Sequence, residues 1–213
     1  EIVQRRRDYL TAYQDAAYAS RYVALVDEVR RQTSRVGAGG AALAEAVARN
    51  YFKLLACKDE YEVARLFAHP QFQQALAANF EGGYRLNFHV TLPWSRGAAP
   101  ADEPKKIRFG PWLMPAMKAL ASLRFLRGTA LNPFGLIAER RQERELVADY
   151  ERTVSHLLDH LDHDRLDTAV ALARIPEMIR GYGPLKQRSI VQAQARHKEL
   201  MAVFDQPVVA TVQ

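Results

Sequence analysis

The sequence predicts a mainly α fold carrying one small antiparallel β-hairpin, about 84–92 paired with 106–109. Two observations carry this. Most apolar residues recur at intervals of three and four, the spacing of one helix face, and one run only, 84–92, alternates with period two. Glycine-containing breaks at 37–40, 82–83 and 181–183 separate these runs.

Taken in order, residues 5–32 contain neither Gly nor Pro and read as one long helix with two largely apolar faces. Tyr9, Tyr13, Ala16, Ser20 and Val23 form one seam; Tyr18, Tyr22, Leu25 and Val29 form the other. Two such faces imply burial between layers, or one seam docked on something outside the chain. After the turn at 36–40, a helix over 41–57 carries Leu43, Val47, Leu54 and Leu55. Asp59 and Glu62 have the spacing of a capping box, opening a short helix that ends before Pro70, and another covers 71–79. In the strand, Tyr84, Leu86, Phe88, Val90 and Leu92 alternate with Arg85, Asn87, His89 and Thr91. A helix over 113–126 follows, stopped by Gly128. Asn132-Pro133 then suggests the start of a long helix to Leu161, before two more near 165–180 and 185–204. Residues 1–206 are read as a single helical domain and 207–213 as a loose tail.

Composition excludes several classes. At 48% hydrophobic and 25% charged residues, the chain as a whole is not disordered. One cysteine, Cys57, permits neither a disulfide framework nor an iron-sulfur cluster held by this chain alone, and it suits a reducing, cytoplasmic compartment. No window approaches 18 consecutive apolar residues, so no membrane span is expected. The chain opens on Glu1 and the basic run Arg5-Arg6-Arg7 without a signal-peptide pattern, which suggests a piece of a longer polypeptide.

The net charge of +6 is concentrated. Lys105, Lys106, Arg108, Lys118, Arg124, Arg127, Arg140, Arg141 and Arg144 face only Glu139 and Glu143, a net +7 over 40 residues. Such a segment suits phosphates, a nucleic-acid backbone, a carboxylate substrate or an acidic protein surface; otherwise it is a solvated basic face. Arg140 and Glu143 fall on a stripe with Leu136, Val147, Tyr150, Val154, Leu157 and Leu161, so each should be paired, with the other or with another segment. His89, beside Arg85 on the polar strand face, is the best-placed acid or base, against the plainer reading of a solvent-facing histidine. His197 shares an apolar stripe and reads as a core histidine, and Cys57 as a packing residue. His156, His160 and His163 share a helix face with Arg141, Glu145, Asp149 and Arg152, so that face points to solvent and no metal site is expected. No nucleophile elbow or phosphate-loop motif occurs, and no catalytic centre assembles from this chain alone.

Several blocks, in order, resemble one family: 6–22 (RRDYLTAYQDAAYASRY), 48–56 (ARNYFKLLA), 86–89 (LNFH), 110–112 (GPW), 126–135 (LRGTALNPFG), 139–144 (ERRQER), and 179–183 (IRGYG) with Lys186. Together they look like the carboxy-terminal domain of the fused bacterial indolepyruvate ferredoxin oxidoreductases, within the 2-oxoacid:ferredoxin oxidoreductase family. The match departs at Pro184-Leu185, where His-Val is expected, and at Gln142, where methionine is usual.

The resemblance implies a parent enzyme that decarboxylates an aryl 2-oxoacid oxidatively, forms an aryl-acetyl-CoA and passes electrons to ferredoxin. Thiamine diphosphate, Mg and iron-sulfur clusters would belong to its other domains, and the isolated domain would be inactive. Within it, Arg127, Arg140, Arg180 and Lys186 are candidate anion-binding residues, for coenzyme A or the substrate carboxylate. The expected partners are the preceding domains of the same polypeptide, with homo-oligomerisation open and neither nucleic acid nor membrane involved. The competing readings are a self-contained helical domain binding an acyl-CoA or aryl acid, and a basic nucleic-acid-binding module.

Overall fold

The computed structural model describes residues 1–35, 39–80, 82, 84–90 and 107–206. Along these run α1 (Ile2–Tyr13), α2 (Ala16–Thr33), α3 (Gly40–Leu55), α4 (Glu60–Ala68), α5 (Pro70–Asn79), β1 (Phe88–Val90), β2 (Ile107–Phe109), α6 (Leu113–Ser122), α7 (Ala138–Asp159), α8 (Leu166–Ala173) and α9 (Pro184–Phe204). The mainly α fold with a small hairpin is therefore observed. β1 and β2 pair antiparallel, Phe88 opposite Phe109, His89 opposite Arg108 and Val90 opposite Ile107. The expected ladder members 91, 92 and 106, the centre of the turn at 36–38 and the tail at 207–213 lie outside the described residues.

The sequence reading takes 1–206 as one domain; the contacts sort the chain into two compact units. The first combines residues 1–56 with those from Gln142 onward, and the second is Cys57–Arg141.

In the first unit, α1 and α3 pack on α2, α3 packs on α8, and α8 on α9. Leu10, Tyr22, Val26, Leu43, Val47, Tyr51, Val154, Leu157, Leu172, Ile190 and Phe204 are buried in one cluster. The rings of Tyr22, Tyr51 and Tyr150 stack in series, with centroids 6.0 and 6.1 Å apart. Each hydroxyl is satisfied, as a buried phenol requires. Tyr22 donates to the Ala48 carbonyl at 3.1 Å, Tyr150 to the Ala173 carbonyl at 2.9 Å, and Tyr51 to the Glu151 carboxylate. Arg21 holds both oxygens of Glu151, at 2.7 and 2.6 Å. Burial pushes the Tyr51 and Tyr150 phenols up, and the Glu151 carboxylate adds to this at Tyr51. Gly40 admits no side chain here, since a Cβ would stand 2.3 Å from the Thr33 carbonyl oxygen, and at Gly39 a Cβ would displace the tip of Leu166.

In the second unit α4 packs on α6, and Ala64, Met117 and Ala121 form a small buried cluster. Phe88 is buried and meets Phe67 edge to face at 5.3 Å. Asp59 caps α4 by accepting the Glu62 N–H at 2.8 Å. The return half of the expected capping box does not form: Glu62 is held by Arg65 through two bonds of 2.7 Å, and the Asp59 N–H donates to the Cys57 carbonyl at 2.9 Å.

Four expected helices differ. The one over 113–126 ends at Ser122 and is followed by a 3-10 turn, Arg124–Leu126. The one near 165–180 ends at Ala173, before a 3-10 helix over Ile175–Met178. The other two are the first and the longest. The single helix over 5–32 is two, because Asp15 ends one and caps the next, accepting the Tyr18 N–H at 2.7 Å. Of the two seams, Tyr22 and Val29 are buried while Ala16 and Ser20 are exposed. The long helix starts at Ala138, not after Asn132, since Gly135 is a poor helix former and the chain runs through successive turns, with Gly135 N–H to Asn132 carbonyl and Ile137 N–H to Phe134 carbonyl. The Asn132 carboxamide oxygen instead accepts from the Phe134 N–H and the Tyr61 hydroxyl, both at 3.1 Å.

Candidate functional site

The four candidate anion-binding residues divide between the units. In the second unit Arg127 is 7% exposed and clamps Asp59 through Nε and Nη2 at 2.6 and 2.7 Å, with its guanidinium carbon 5.2 Å from the Tyr61 ring centre. Asp59 thus caps α4 and binds Arg127 with one carboxylate. Burial, then the Asp59 carboxylate, pushes the Tyr61 phenol up, while Arg127 opposes both. Arg140 lies 3.8 Å from Glu60 and 3.9 Å from Glu139.

In the first unit Lys186 donates to Glu143 at 2.5 Å, so each of the two charges expected on the long-helix stripe, Arg140 and Glu143, is met by a group from another segment. Arg180 is exposed, and its Nε donates to the Glu177 carbonyl at 3.0 Å. Its neighbour Lys53 donates to the Pro176 carbonyl at 2.7 Å, and burial followed by the Arg180 charge lowers the Lys53 pKa.

His89 and Arg85 are both exposed, His89 on β1 and Arg85 before it. His156 meets Asp205 at 2.8 Å, and His160 Nδ1 lies 3.0 Å from the His156 carbonyl. No group of three His, Cys, Asp or Glu among the described residues could hold a metal ion.

His197 borders a cavity of about 280 Å³ in the first unit, with Leu146, Leu172, Ile179 and Ile190 on its apolar side and Gln194 and Arg152 also at its wall. His197 Nε2 lies 3.0 Å from Thr153 Oγ1, whose hydroxyl donates to the Asp149 carbonyl at 2.9 Å. With that proton committed, Nε2 of His197 is the donor and Nδ1 the acceptor. Burial lowers the His197 pKa against the opposing Asp149 charge.

The second unit presents a different surface. Between 112 and 136, Trp112 is 64% exposed, Phe125 56%, Leu131 78% and Leu136 86%. Arg108, Lys118 and Arg141, from the densely basic segment, are exposed as well. Sequence periodicity did not single out Trp112, Phe125 and Leu131, and it placed Leu136 on the apolar stripe of the long helix. Residues 123–137 sit in turns and a 3-10 helix where no helical stripe exists, so Leu136 is exposed instead. Lys53 and Arg49 were also missed, although their i, i+4 spacing places them on one face of α3.

No helix among the described residues is long and apolar enough to cross a membrane. A family model, DUF6537, described as a family of unknown function, matches residues 1–199. No curated protein and no solved structure matches the chain.

Proposed function

The chain belongs to the DUF6537 family, and we propose that it is a structural and docking module of a cytoplasmic, thiamine-diphosphate-dependent oxidoreductase. The parent would convert indolepyruvate or another aryl 2-oxoacid to the aryl-acetyl-CoA and reduce ferredoxin. The observation that carries the docking role is the exposed apolar set Trp112, Phe125, Leu131 and Leu136 beside a strongly basic segment. Large apolar side chains rimmed by charge are characteristic of surfaces that meet another protein surface. The preceding domains of the same polypeptide are the proposed partner. This chain's donor set does not fit an iron-sulfur cluster, since Cys57 is its one thiol and such a cluster takes several. In this reading the clusters, thiamine diphosphate and Mg are held elsewhere in the parent.

The test uses the complete natural polypeptide that contains this chain, assayed for CoA-dependent ferredoxin reduction with indolepyruvate. The complete polypeptide is expected to be active and the chain alone inactive. Phe125→Asp combined with Leu131→Asp should impair the complete polypeptide while leaving the melting temperature of the chain alone nearly unchanged. A complete polypeptide with no 2-oxoacid activity overturns the reading.

A second reading, an aryl-acid-binding domain, has the His197 cavity in its favour. Calorimetric titration of the chain with indolepyruvate distinguishes it: saturable binding lost in Ile190→Trp supports it, and no heat rejects it.

A further inference from the structure

The first unit holds a second cation-rich place, independent of the docking reading. A groove of about 890 Å³ is lined by Arg5, Arg6, Tyr9, Arg49, Phe52 and Lys53, with Glu1 as the one carboxylate at its wall. Its cations are incompletely balanced. Arg49 pairs with Glu45 at 2.7 Å, but both side chains are more than half exposed, so this contact is weak. Lys53 donates to backbone carbonyls, and burial and the Arg180 charge outweigh the favourable Glu177 carboxylate nearby. The Arg6 guanidinium carbon stands 5.1 Å from the Phe52 ring centre, and the group lies close enough to the Tyr22 phenol to oppose the upward push of burial on it, while its buried Nη1 has no hydrogen-bond acceptor among the described residues. A buried cationic N–H without an acceptor is costly, and like charges in a partly desolvated groove repel. Several oxyanion acceptors held a few ångströms apart would relieve both costs together.

Linked phosphates supply that pattern. Guanidinium groups meet phosphate oxygens through paired, charge-assisted bonds, and an ammonium adds a point charge. Phe52, edge to face with Tyr9 at 5.4 Å, supplies an apolar floor beside the cations. We propose that this groove binds a diphosphate group, gripped by Arg5, Arg6, Arg49 and Lys53.

The diphosphate could belong to the free inorganic ion or to a nucleoside diphosphate, and calorimetric titration of the full chain with pyrophosphate and with ADP separates them. Saturable binding is expected, with tighter ADP binding assigning the ring-bearing source and tighter pyrophosphate the inorganic one. Arg6→Gln and Lys53→Gln should each weaken binding roughly tenfold or more. Lys53→Arg should retain it, and so should Arg188→Gln, which alters an exposed cation on α9. Should Arg6→Gln fail to fold, Arg5→Gln, at an exposed position, takes its place. The proposal is overturned if neither ligand binds, or if Arg188→Gln weakens binding as much as Lys53→Gln, the mark of diffuse attraction to a basic protein.

Discussion

In the unit formed by residues 1–56 and those from Gln142 onward, helices close around a continuous apolar cluster, and polar groups are added at its edges, as in the Tyr51–Glu151–Arg21 contact. In Cys57–Arg141 the proportions are reversed. The buried apolar cluster is Ala64, Met117 and Ala121, and a deeply buried ion pair, Asp59–Arg127, ties the start of α4 to the turn after α6. The same second unit leaves Trp112, Leu131 and Leu136 in solvent. One unit draws stability from area removed from water; the other relies on a polar clamp and leaves large apolar side chains exposed. A polar clamp fixes geometry, but it is fragile to loss of one partner, because the remaining charge stays buried.

Asp59→Ala should therefore have the largest effect. It removes both the buried carboxylate that Arg127 clamps and the α4 cap, at a cost of about 3–5 kcal/mol in urea unfolding. A loss below about 1 kcal/mol would show that apolar packing holds the second unit after all. Leu157→Ala in the first unit should cost about 2–4 kcal/mol through the cavity it leaves. Arg140→Ala should cost about 1–2 kcal/mol, since it removes a largely buried partner of Glu60 and Glu139, whereas the exposed Arg141→Ala should stay within about 0.5 kcal/mol. Equal midpoints for these two variants would erase the distinction between buried and solvent-facing charge on that helix.

The smallest expected effect concerns pH. The folded His197 pKa lies below its unfolded value, so the unfolded chain binds the proton more readily. Stability from neutral His197 is full above the unfolded value, near 6.5. It declines as pH falls through that value toward the lower folded one. His197→Gln should flatten this part of the pH–stability curve, and an unchanged slope would place the titration elsewhere.

Much of this architecture was legible because local chemistry announces it. Asp59 and Pro70 sit where the sequence placed helix boundaries, and the α7 residues Val147, Tyr150, Val154 and Leu157 are buried on the expected stripe, whereas the helix expected to run to Gly128 ends at Ser122. The break at Asp15 was hidden because the four-three spacing of Tyr9, Tyr13, Ala16, Ser20 and Val23 continues unbroken across it. At Asn132 a cap-like pair was misleading, since the side chain is engaged in a turn and with Tyr61. The candidate sites were less legible. Charge density pointed to Arg127 and Arg140, but Asp59 is 68 residues from Arg127 in sequence, and no periodicity encodes such a pairing. The Arg5–Lys53 groove likewise depends on α1 and α3 lying together, while its residues carry no shared motif.

The tyrosine stack has an optical consequence. Both tryptophans fall between Cys57 and Arg141 in sequence, and Trp112 lies in the second unit, whereas Tyr22, Tyr51 and Tyr150 lie together in the first. Indole emission excited at the red edge of absorption is therefore a native reporter for Cys57–Arg141 alone, and phenol signals in near-ultraviolet circular dichroism are weighted toward the other unit. Recording both during one denaturation shows, without any added label, whether the clamp-held and core-held units melt together.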